Sequence, residues 1–207
     1  GQDPYEEKND VWRSIDGGAT WTLENANASW SARDSHSSVV MPDGSIILMG
    51  GHINGNIWDN DVWRSIDGGA TWTLVNASAG WSARLSHSSV VLADGRIVLL
   101  GGFFNITDEI GPCCKNDVWD STDYGATWTQ LTASADWSPR SGHSSVVMAD
   151  GNIMLFGGSD STGIKGDVWR SGDCGATWTQ LTAGADWSPR ALHSSCAMPD
   201  GSIILMG

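Results

Sequence analysis

One stretch decides the fold: Asn60-Asp61-Val62-Trp63-Arg64-Ser65-Ile66-Asp67-Gly68-Gly69-Ala70-Thr71-Trp72-Thr73-Leu74. Nearly the same sequence occurs four times, and the first tryptophan of each copy recurs after 51, 56 and 50 residues. Within each copy tryptophan returns every nine residues, so only Trp58 of the 13 tryptophans lies outside this lattice. Repetition with this period predicts an array of equal supersecondary units.

Each copy contains four short strand-like runs that are separated by turn signals. In the second copy, residues 86–92 end at an Asp-Gly turn, and residues 96–100 are a continuous apolar run that ends at Gly101-Gly102. Residues 117–121 and 126–131 alternate in polarity. Such runs predict strands, Asp-Gly between two of them predicts a hairpin, and no stretch has helical periodicity longer than a turn. The sequence therefore predicts an all-β fold with four antiparallel strands in each repeat of ~50 residues.

The order of motifs in each copy resembles two known patterns. Arg-x-x-His-Ser-Ser, an apolar run, Gly-Gly and Asp-Val-Trp together resemble the kelch repeat; the Arg and His pairs are Arg33/His36, Arg84/His87, Arg140/His143 and Arg190/His193. Ser-x-Asp-x-Gly-x-Thr-Trp is similar to the Asp-box, or BNR repeat, of sialidase-type propellers; its acidic residues are Asp16, Asp67, Asp123 and Asp173. Both resemblances imply a β-propeller.

The kelch resemblance also implies a division into blades, because it places Arg-x-x-His-Ser-Ser on the innermost strand. Whole blades then cover about residues 31–74, 82–131 and 138–181, while residues 1–30 form an outer half-blade and residues 188–207 an inner half-blade. The halves could close a four-bladed ring or pair between two chains, which would make a homo-oligomer. Because kelch propellers more often have six or seven blades, we expect part of a larger propeller or array.

The Asp-box residues have a structural interpretation. The carboxylates of Asp16, Asp67, Asp123 and Asp173 can accept backbone N–H bonds within a tight turn, and the glycine two residues later supplies a positive φ. In sialidase-like proteins these boxes lie away from the catalytic site, which agrees with a structural role.

Composition excludes several partners. The net charge is −13 with only 11 Lys and Arg residues, which argues against nucleic acid and anionic membrane surfaces. No run approaches the roughly 18 apolar residues of a membrane span. Three sequons, at Asn27, Asn76 and Asn105, predict an extracellular or cell-surface glycoprotein. In an up-and-down blade all three would lie on one face, with the Asp-box turns on the other.

Four cysteines are too few for a disulfide scaffold. Cys113 and Cys114 are adjacent, so a vicinal disulfide is one interpretation and metal binding by the pair is another. Cys196 replaces the valine of an inner strand and is expected to be a small buried hydrophobe. No cofactor is expected, although Asp108/Glu109, Asp59/Asp61 and Glu6/Glu7 supply oxygen ligands for Ca²⁺.

The repeated Arg and His residues permit two interpretations. Rings of these residues near one channel mouth would suit an anion or an acidic sugar. Alternatively, they bridge neighbouring blades by hydrogen bonds, which their identity in every blade favours. Sialidase-like and galactose-oxidase-like sites both need tyrosines, and only Tyr5 and Tyr124 are present. We therefore expect no catalytic site.

The segments that differ among copies lie at 2–9, 52–60, 103–116 and 159–166. Variable loops on a rigid scaffold usually determine binding specificity. Trp58, Phe103 and Phe104 could form an exposed patch for a partner or a sugar ring, or pack over the blade edge. The sequence thus predicts a non-catalytic propeller that binds other protein subunits; the alternative is a carbohydrate-binding module attached to a glycan-acting enzyme.

Overall fold

The structure is a computed structural model that describes residues 7–53, 57–104 and 114–207. Every regular element in these ranges is a β-strand, and all strand pairs are antiparallel. The all-β prediction is therefore confirmed. No helix in these ranges is long and apolar enough to cross a membrane.

The strands group into three whole blades, the first with five strands and the others with four, and two half-blades. The first half-blade pairs β1 (Val11–Arg13) with β2 (Thr22–Asn25). The first blade contains β3 (Arg33–Asp34), β4 (Ser37–Val40), β5 (Ile46–Ile53), β6 (Ile57–Ser65) and β7 (Thr73–Asn76), with both β3 and β4 paired to β5. The second contains β8 (Ser88–Val91), β9 (Ile97–Phe103), β10 (Cys114–Ser121) and β11 (Thr129–Thr132).

The third blade interrupts its strand order with a small hairpin. It contains β12 (Ser144–Val147), β13 (Ile153–Phe156), β16 (Val168–Ser171) and β17 (Thr179–Thr182), and the hairpin is β14 (Ser159–Asp160) with β15 (Gly163–Ile164). The second half-blade pairs β18 (Ser194–Ala197) with β19 (Ile203–Met206). The inner strands β4, β8, β12 and β18 contact one another in that order, and the two half-blades do not pair with each other in the part of the chain that the structure describes.

The second strand of each whole blade is the most buried element, as its continuous apolar sequence predicts. In β9, the side chains of Ile97 to Leu100 have no exposed surface because other strands flank them and adjacent blades cover both faces. The core consequently consists of separate layers between consecutive blades. Val118 of the second blade, for example, packs in one layer with Trp137 and Leu155 of the third.

The tryptophan lattice contributes to these layers. Trp30, Trp81 and Trp137 precede an inner strand and are almost fully buried. Each meets, edge to face, a tryptophan from the outer edge of its own blade, at 5.8–6.0 Å between ring centroids; the pairs are Trp30–Trp72, Trp81–Trp128 and Trp137–Trp178. Each whole blade thus contains one edge-to-face pair, which gives a packing role to two of the three recurring tryptophans.

Candidate binding face

The inner strands begin around a shared mouth, a shallow cavity of about 200 Å³. Its lining is Ser35, His36, Ser86, His87, Gly142, His143, Leu192 and His193. Main-chain groups link the blades here: Ser86 N–H donates to Ser35 O, Gly142 N–H to Ser86 O and Leu192 N–H to Gly142 O, all at 2.8–2.9 Å. The four residues that these bonds join, Ser35, Ser86, Gly142 and Leu192, all have positive φ, between 52° and 63°. The mouth therefore repeats the same backbone geometry in each blade.

Three of the four repeated arginines lie in buried ion pairs within their own blades. Arg84 is fully buried and holds the carboxylate of Asp117 with two hydrogen bonds, of 2.7 and 2.9 Å. Its remaining N–H groups donate to Ser82 and to Gly101 O, so all five donors are used. Arg140 repeats this arrangement with Asp167, and Arg33 pairs in the same way with Asp61. These three guanidinium groups are therefore committed within their blades and do not face an anion at the mouth.

The main chain of each arginine, in contrast, connects to the preceding blade. Arg84 N–H donates to Asp59 O, and Arg84 O accepts from Gly51 N–H. Arg140 and Arg190 make the equivalent pairs of bonds with the blades before them. The side chain of Arg190 differs, because it donates to Gly207 O and Ser188 and has no ion pair among the described residues.

The acidic partners keep their charge despite burial. Burial raises the pKa of Asp117, but the hydrogen bonds and charge of Arg84 outweigh this effect and hold the pKa below its ordinary value. The pKa of Asp167 responds in the same way to burial and to Arg140. Because Asp61 is committed to Arg33 and to the Trp63 ring N–H, it is not available for the Ca²⁺ site that Asp59/Asp61 suggested. Glu6, Asp108 and Glu109 lie outside the described residues.

The histidines are packed between blades rather than arranged as ligands. His87 shares a hydrogen bond of 2.8 Å with Ser37 of the preceding blade, and its ring lies against Trp81. Burial lowers the pKa of His143 to about 3, with the Arg140 charge as the next cause, and shifts the pKa of His87 in the same direction. Both rings are therefore neutral at pH 7. His36 and His193 also line the mouth, beside the first and the last of the four inner strands.

The Gly-Gly pair makes room for these histidines. A Cβ on Gly101 would lie 3.2 Å from the ring of His143 in the next blade, and a Cβ on Gly102 would lie 2.7 Å from Cβ of His87 in the same blade. Both glycines also have positive φ, of 51° and 107°. Glycine is required at both positions because one faces the neighbouring blade and the other the inner strand.

The four Ser-x-Asp turns have the local structure that the motif predicts. In the third copy, Asp123 accepts from the N–H and hydroxyl of Thr127, and Ser121 accepts from Gly125 N–H. Asp16, Asp67 and Asp173 make the same bonds. A Cβ on Gly125 would lie 2.6 Å from Val62 of the preceding blade, so the turn also packs closely against that blade. These contacts are structural.

Two of the three glycosylation candidates lie in the described residues, and their arrangement on one face stays a prediction. The Asn76 amide donates at 2.9 Å to Ala126 O, which belongs to the Ser-x-Asp turn of the next copy. This bond places the Asn76 side chain next to that turn. Asn27 is exposed and hydrogen-bonded to Asn9. Asn105 lies outside the described residues.

The three blades differ most at a position that we call the rim triplet, next to the mouth on the side of the variable loops. Each triplet joins a cross-strand pair of one blade to a residue of the preceding repeat. The first is Glu7, Asp34 and His52; the second is Trp58, Leu85 and Phe103; the third is Cys114, Ser141 and Ser159. The backbone geometry is the same in the three triplets. The side chains are charged in the first triplet, apolar in the second, and small and polar in the third.

An open pocket of about 310 Å³ lies between the second and third triplets. Its lining is Leu85, Ser86, Phe103, Ser141, Gly142, Ser159, Ala191 and Leu192. Leu192 is 81% exposed at its edge, which is unusual for a large apolar side chain on a left-handed turn. Sequence reasoning did not single out Leu85 or Leu192, because each replaces a residue that is polar or small elsewhere and only the fold shows that they share a pocket.

The predicted aromatic candidates are partly used in packing. Trp58 lies between His52 and Phe103, with ring centroids 6.0 and 6.4 Å away. Phe104 is covered by Lys115, whose Nζ is 3.9 Å from the ring centroid. Of the three, Phe103 is the one that lines the pocket.

The cysteines add no site among the residues that the structure describes. Cys114 belongs to the third rim triplet, 3.7 Å from the Ser141 hydroxyl, and its neighbour Cys113 lies outside the described residues, so the vicinal disulfide stays a prediction. Cys196 is exposed, which corrects the expectation that it is buried: it lies in the two-stranded β18–β19 sheet, where the described residues leave its face uncovered.

Antiparallel four-stranded blades around a common mouth, with an Arg–His inner strand and a Gly-Gly second strand, define a kelch-type β-propeller, a class of scaffold that binds proteins. The model of the KLHDC2/KLHL20/DRC7 Kelch-repeats domain family matches residues 1–207. The chain therefore belongs to this kelch-repeat family.

Two relatives show the range of proteins in which similar repeats occur. An F-box/kelch-repeat protein of Arabidopsis thaliana is 25% identical over 180 residues, which are 77% of this chain and 36% of that protein. A xyloglucanase of Paenibacillus sp. is 28% identical over 148 residues, which are 60% of this chain and 13% of that enzyme. The chain thus spans only a minor part of the length of either relative.

Proposed function

We propose that this propeller is a non-catalytic scaffold that binds a protein segment on its rim, with an apolar side chain of the partner seated in the pocket beside Phe103 and Leu192. The observation that carries the proposal is this pocket, because it lies where an otherwise symmetric scaffold differs from blade to blade. A ring of identical groups offers one partner several equivalent positions, whereas a unique apolar pocket offers a single anchor.

The contacts at the mouth explain why the rim, rather than the channel, is the better site. The donors of Arg84 and Arg140 are saturated by Asp117 and Asp167, and the rings of His87 and His143 are buried. Opening these groups to a ligand would break buried ion pairs, which is costly. The apolar side chains that line the rim pocket can gain a partner without such a loss.

The test is a selection of peptides from a displayed random library on the 207-residue protein, followed by affinity measurements on variants. Leu192→Glu places a charge at the pocket edge and should weaken binding of the selected peptides by about tenfold or more. Ile66→Glu is the matched control, since Ile66 is 78% exposed on a Ser-x-Asp turn. Selection of no peptide, or equal binding by both variants, would contradict the proposal.

Glycan binding is the second candidate, and the similarity to a xyloglucanase favours it. Sugar rings stack on exposed aromatic faces, and Trp58 with Phe103 supplies the aromatic pair nearest the pocket. Titration with xyloglucan oligosaccharides separates the two candidates. Saturable binding that Phe103→Ser removes would support the glycan function. Absence of any binding signal in the titration at millimolar sugar would count against it.

An extracellular or surface location is part of the same proposal and rests on the sequons. Asn27 is exposed, and Asn76 keeps one amide hydrogen for its bond to Ala126 if a sugar replaces the other. Intact mass before and after enzymatic removal of N-glycans tests this location. A mass loss that Asn27→Gln and Asn76→Gln together abolish supports it, and an unmodified mass in protein from its native source counts against it.

A further inference from the structure

The first rim triplet has a chemistry that the other two lack. Glu7, Asp34 and His52 bring two carboxylates and one imidazole together, and one ligand atom from each lies within 4.8 Å of the others. It is the one such cluster of metal-binding side chains in the described residues. Three-atom clusters of this composition are what divalent transition-metal ions bind in proteins.

The positions of the three residues are set by backbone pairing. Asp34 lies opposite His52 across the β3–β5 pair, and Arg33 bridges to Lys8, which places Glu7 beside them. Because the segments are held by strand pairing, the side chains converge without a long flexible loop. Asp34 is more than half exposed while Glu7 and His52 are largely covered, so the cluster opens to solvent on one side only.

Two of the three ligand separations match those of neighbouring ligands on a metal ion, and the His52–Asp34 contact is also a long hydrogen bond. His52 Nδ1 is 3.5 Å from Glu7 Oε1 and 3.4 Å from Asp34 Oδ2. Good charge-assisted hydrogen bonds are shorter, at about 2.7–2.9 Å. Ligands about 2.1 Å from a tetrahedral zinc ion are ~3.4 Å from one another, which is the separation between His52 and each of the two carboxylates, and all three ligand atoms lie within 4.8 Å of one another.

Comparison with the other blades separates this cluster from the structural part of the repeat. The equivalent positions hold Trp58, Leu85 and Phe103 in the second triplet and Cys114, Ser141 and Ser159 in the third. The backbone geometry is kept in all three triplets, so blade packing does not require acidic groups or histidine at this position. Folding therefore does not explain the first triplet.

We infer that Glu7, Asp34 and His52 form a binding site for a divalent transition-metal ion, with zinc the best fit, on the rim of the propeller. Three protein ligands leave at least one coordination position open toward solvent. Water or an acidic or imidazole side chain of a bound partner can occupy that position. The site lies beside Trp58, whose ring is 6.0 Å from that of His52, and so adjoins the apolar triplet.

The test is calorimetric titration of the chelator-treated 207-residue protein with ZnCl₂, repeated with CoCl₂ and followed by absorption. We expect one ion per chain, and a cobalt spectrum without the charge-transfer band of thiolate ligands, which excludes the cysteines. His52→Ala and Asp34→Asn should each weaken binding by about tenfold or more. Ser159→Ala, at the position equivalent to His52 in the third triplet, should leave it unchanged.

Thermal stability gives a second readout that does not depend on heat of binding. Zinc should raise the Tm of the wild-type protein and of Ser159→Ala, and should not raise that of His52→Ala. Absence of saturable zinc binding at millimolar concentration would overturn the inference. Equal binding by the wild type and His52→Ala would also overturn it, because the triplet would then be only a set of ion pairs.

Discussion

At the scale of single residues, charged groups that recur in the whole blades hold strands together. Arg84 shows this most clearly: its guanidinium group satisfies Asp117 in its own blade while its main chain satisfies Asp59 and Gly51 in the preceding one. One residue thereby links strands of two blades. Burial and a full set of partners account for this arginine in the three whole blades.

Arg84→Ala should lower the free energy of unfolding by about 3–5 kcal/mol, because it leaves the Asp117 carboxylate buried without its partner. Arg190→Ala is the matched control and should cost about 1 kcal/mol or less, since Arg190 makes no ion pair among the described residues. Urea unfolding at neutral pH measures both. Equal losses would show that the ion pair contributes nothing beyond side-chain packing.

The buried histidines predict a loss of stability in mild acid. The pKa of His143 is lowered from 6.5 to about 3, so the unfolded chain binds a proton below pH 6.5 that the folded chain rejects. Stability is therefore complete above pH 6.5 and falls as the pH decreases toward 3, by about 1.4 kcal/mol per unit for each such group. Carboxyl groups have ordinary pKa values of about 4, so their protonation does not explain a loss of stability above about pH 5.

His143→Gln should reduce this pH dependence by the contribution of one proton, while His87, His36 and His193, whose pKa values burial also lowers, keep the remainder. Urea unfolding at three pH values, from neutral to about pH 5, measures the slope for the variant and the wild type. The decisive quantity is the difference between their slopes, because a uniform loss of stability at every pH reports only packing. Identical slopes would mean that His143 is not kept neutral by burial.

Sequence reasoning recognised the repeated Arg and His residues but not their partners. Identity in every copy pointed to bridges between blades, and the main chain of Arg84 and the ring of His87 do reach the preceding blade. The guanidinium partner was missed because Asp117 lies 33 positions away, and its motif was interpreted only as the start of a strand. Such pairs are visible only once strand order is known.

At the scale of elements, each hairpin carries glycines whose function is steric. Near the end of β9, a Cβ on Gly101 would lie 3.2 Å from His143 and a Cβ on Gly102 would lie 2.7 Å from His87. The Gly of the Asp-Gly turn before β9 has a different task, since Gly95 has positive φ but only Pro42 near it, at 3.9 Å. These two types of glycine are indistinguishable in sequence.

Gly102→Ala should cost about 1–3 kcal/mol more than Gly95→Ala, because it adds a clash with His87 to the backbone strain that both share. Chemical denaturation of the two variants measures the difference. Equal costs would mean that the inner strand moves away from the added methyl group, and the close contact would then have no energetic role.

The Ser-x-Asp turn offers a similar comparison. Ser121 is buried and accepts from Gly125 N–H at 2.9 Å, whereas Ser14 makes the same bond at 2.8 Å in an exposed turn. Ser121→Ala should cost about 1–3 kcal/mol from an orphaned buried donor. Ser14→Ala should cost clearly less, because water replaces the lost hydroxyl, and the same unfolding assay tests that order.

At the scale of the whole molecule, the fold follows from what the repeats share, and we propose that binding follows from where they differ. Four-strand periodicity and the kelch resemblance were sufficient to predict an all-β propeller. The rim triplets could not be predicted, since Glu7, Asp34 and His52 come from three segments that only the β3–β5 pair and the bridge at Lys8 bring together. The contact of Asn76 with the next Ser-x-Asp turn is likewise visible only in the structure.

The central claim is that partners bind at the asymmetric rim. Its most direct test is amide hydrogen exchange of the protein with and without a selected peptide, which maps the bound surface over the chain. We predict added protection at residues 83–86, 101–104, 139–142 and 189–192, with the Ser-x-Asp turns unchanged. Protection confined to those turns or to the outer strands would contradict the claim.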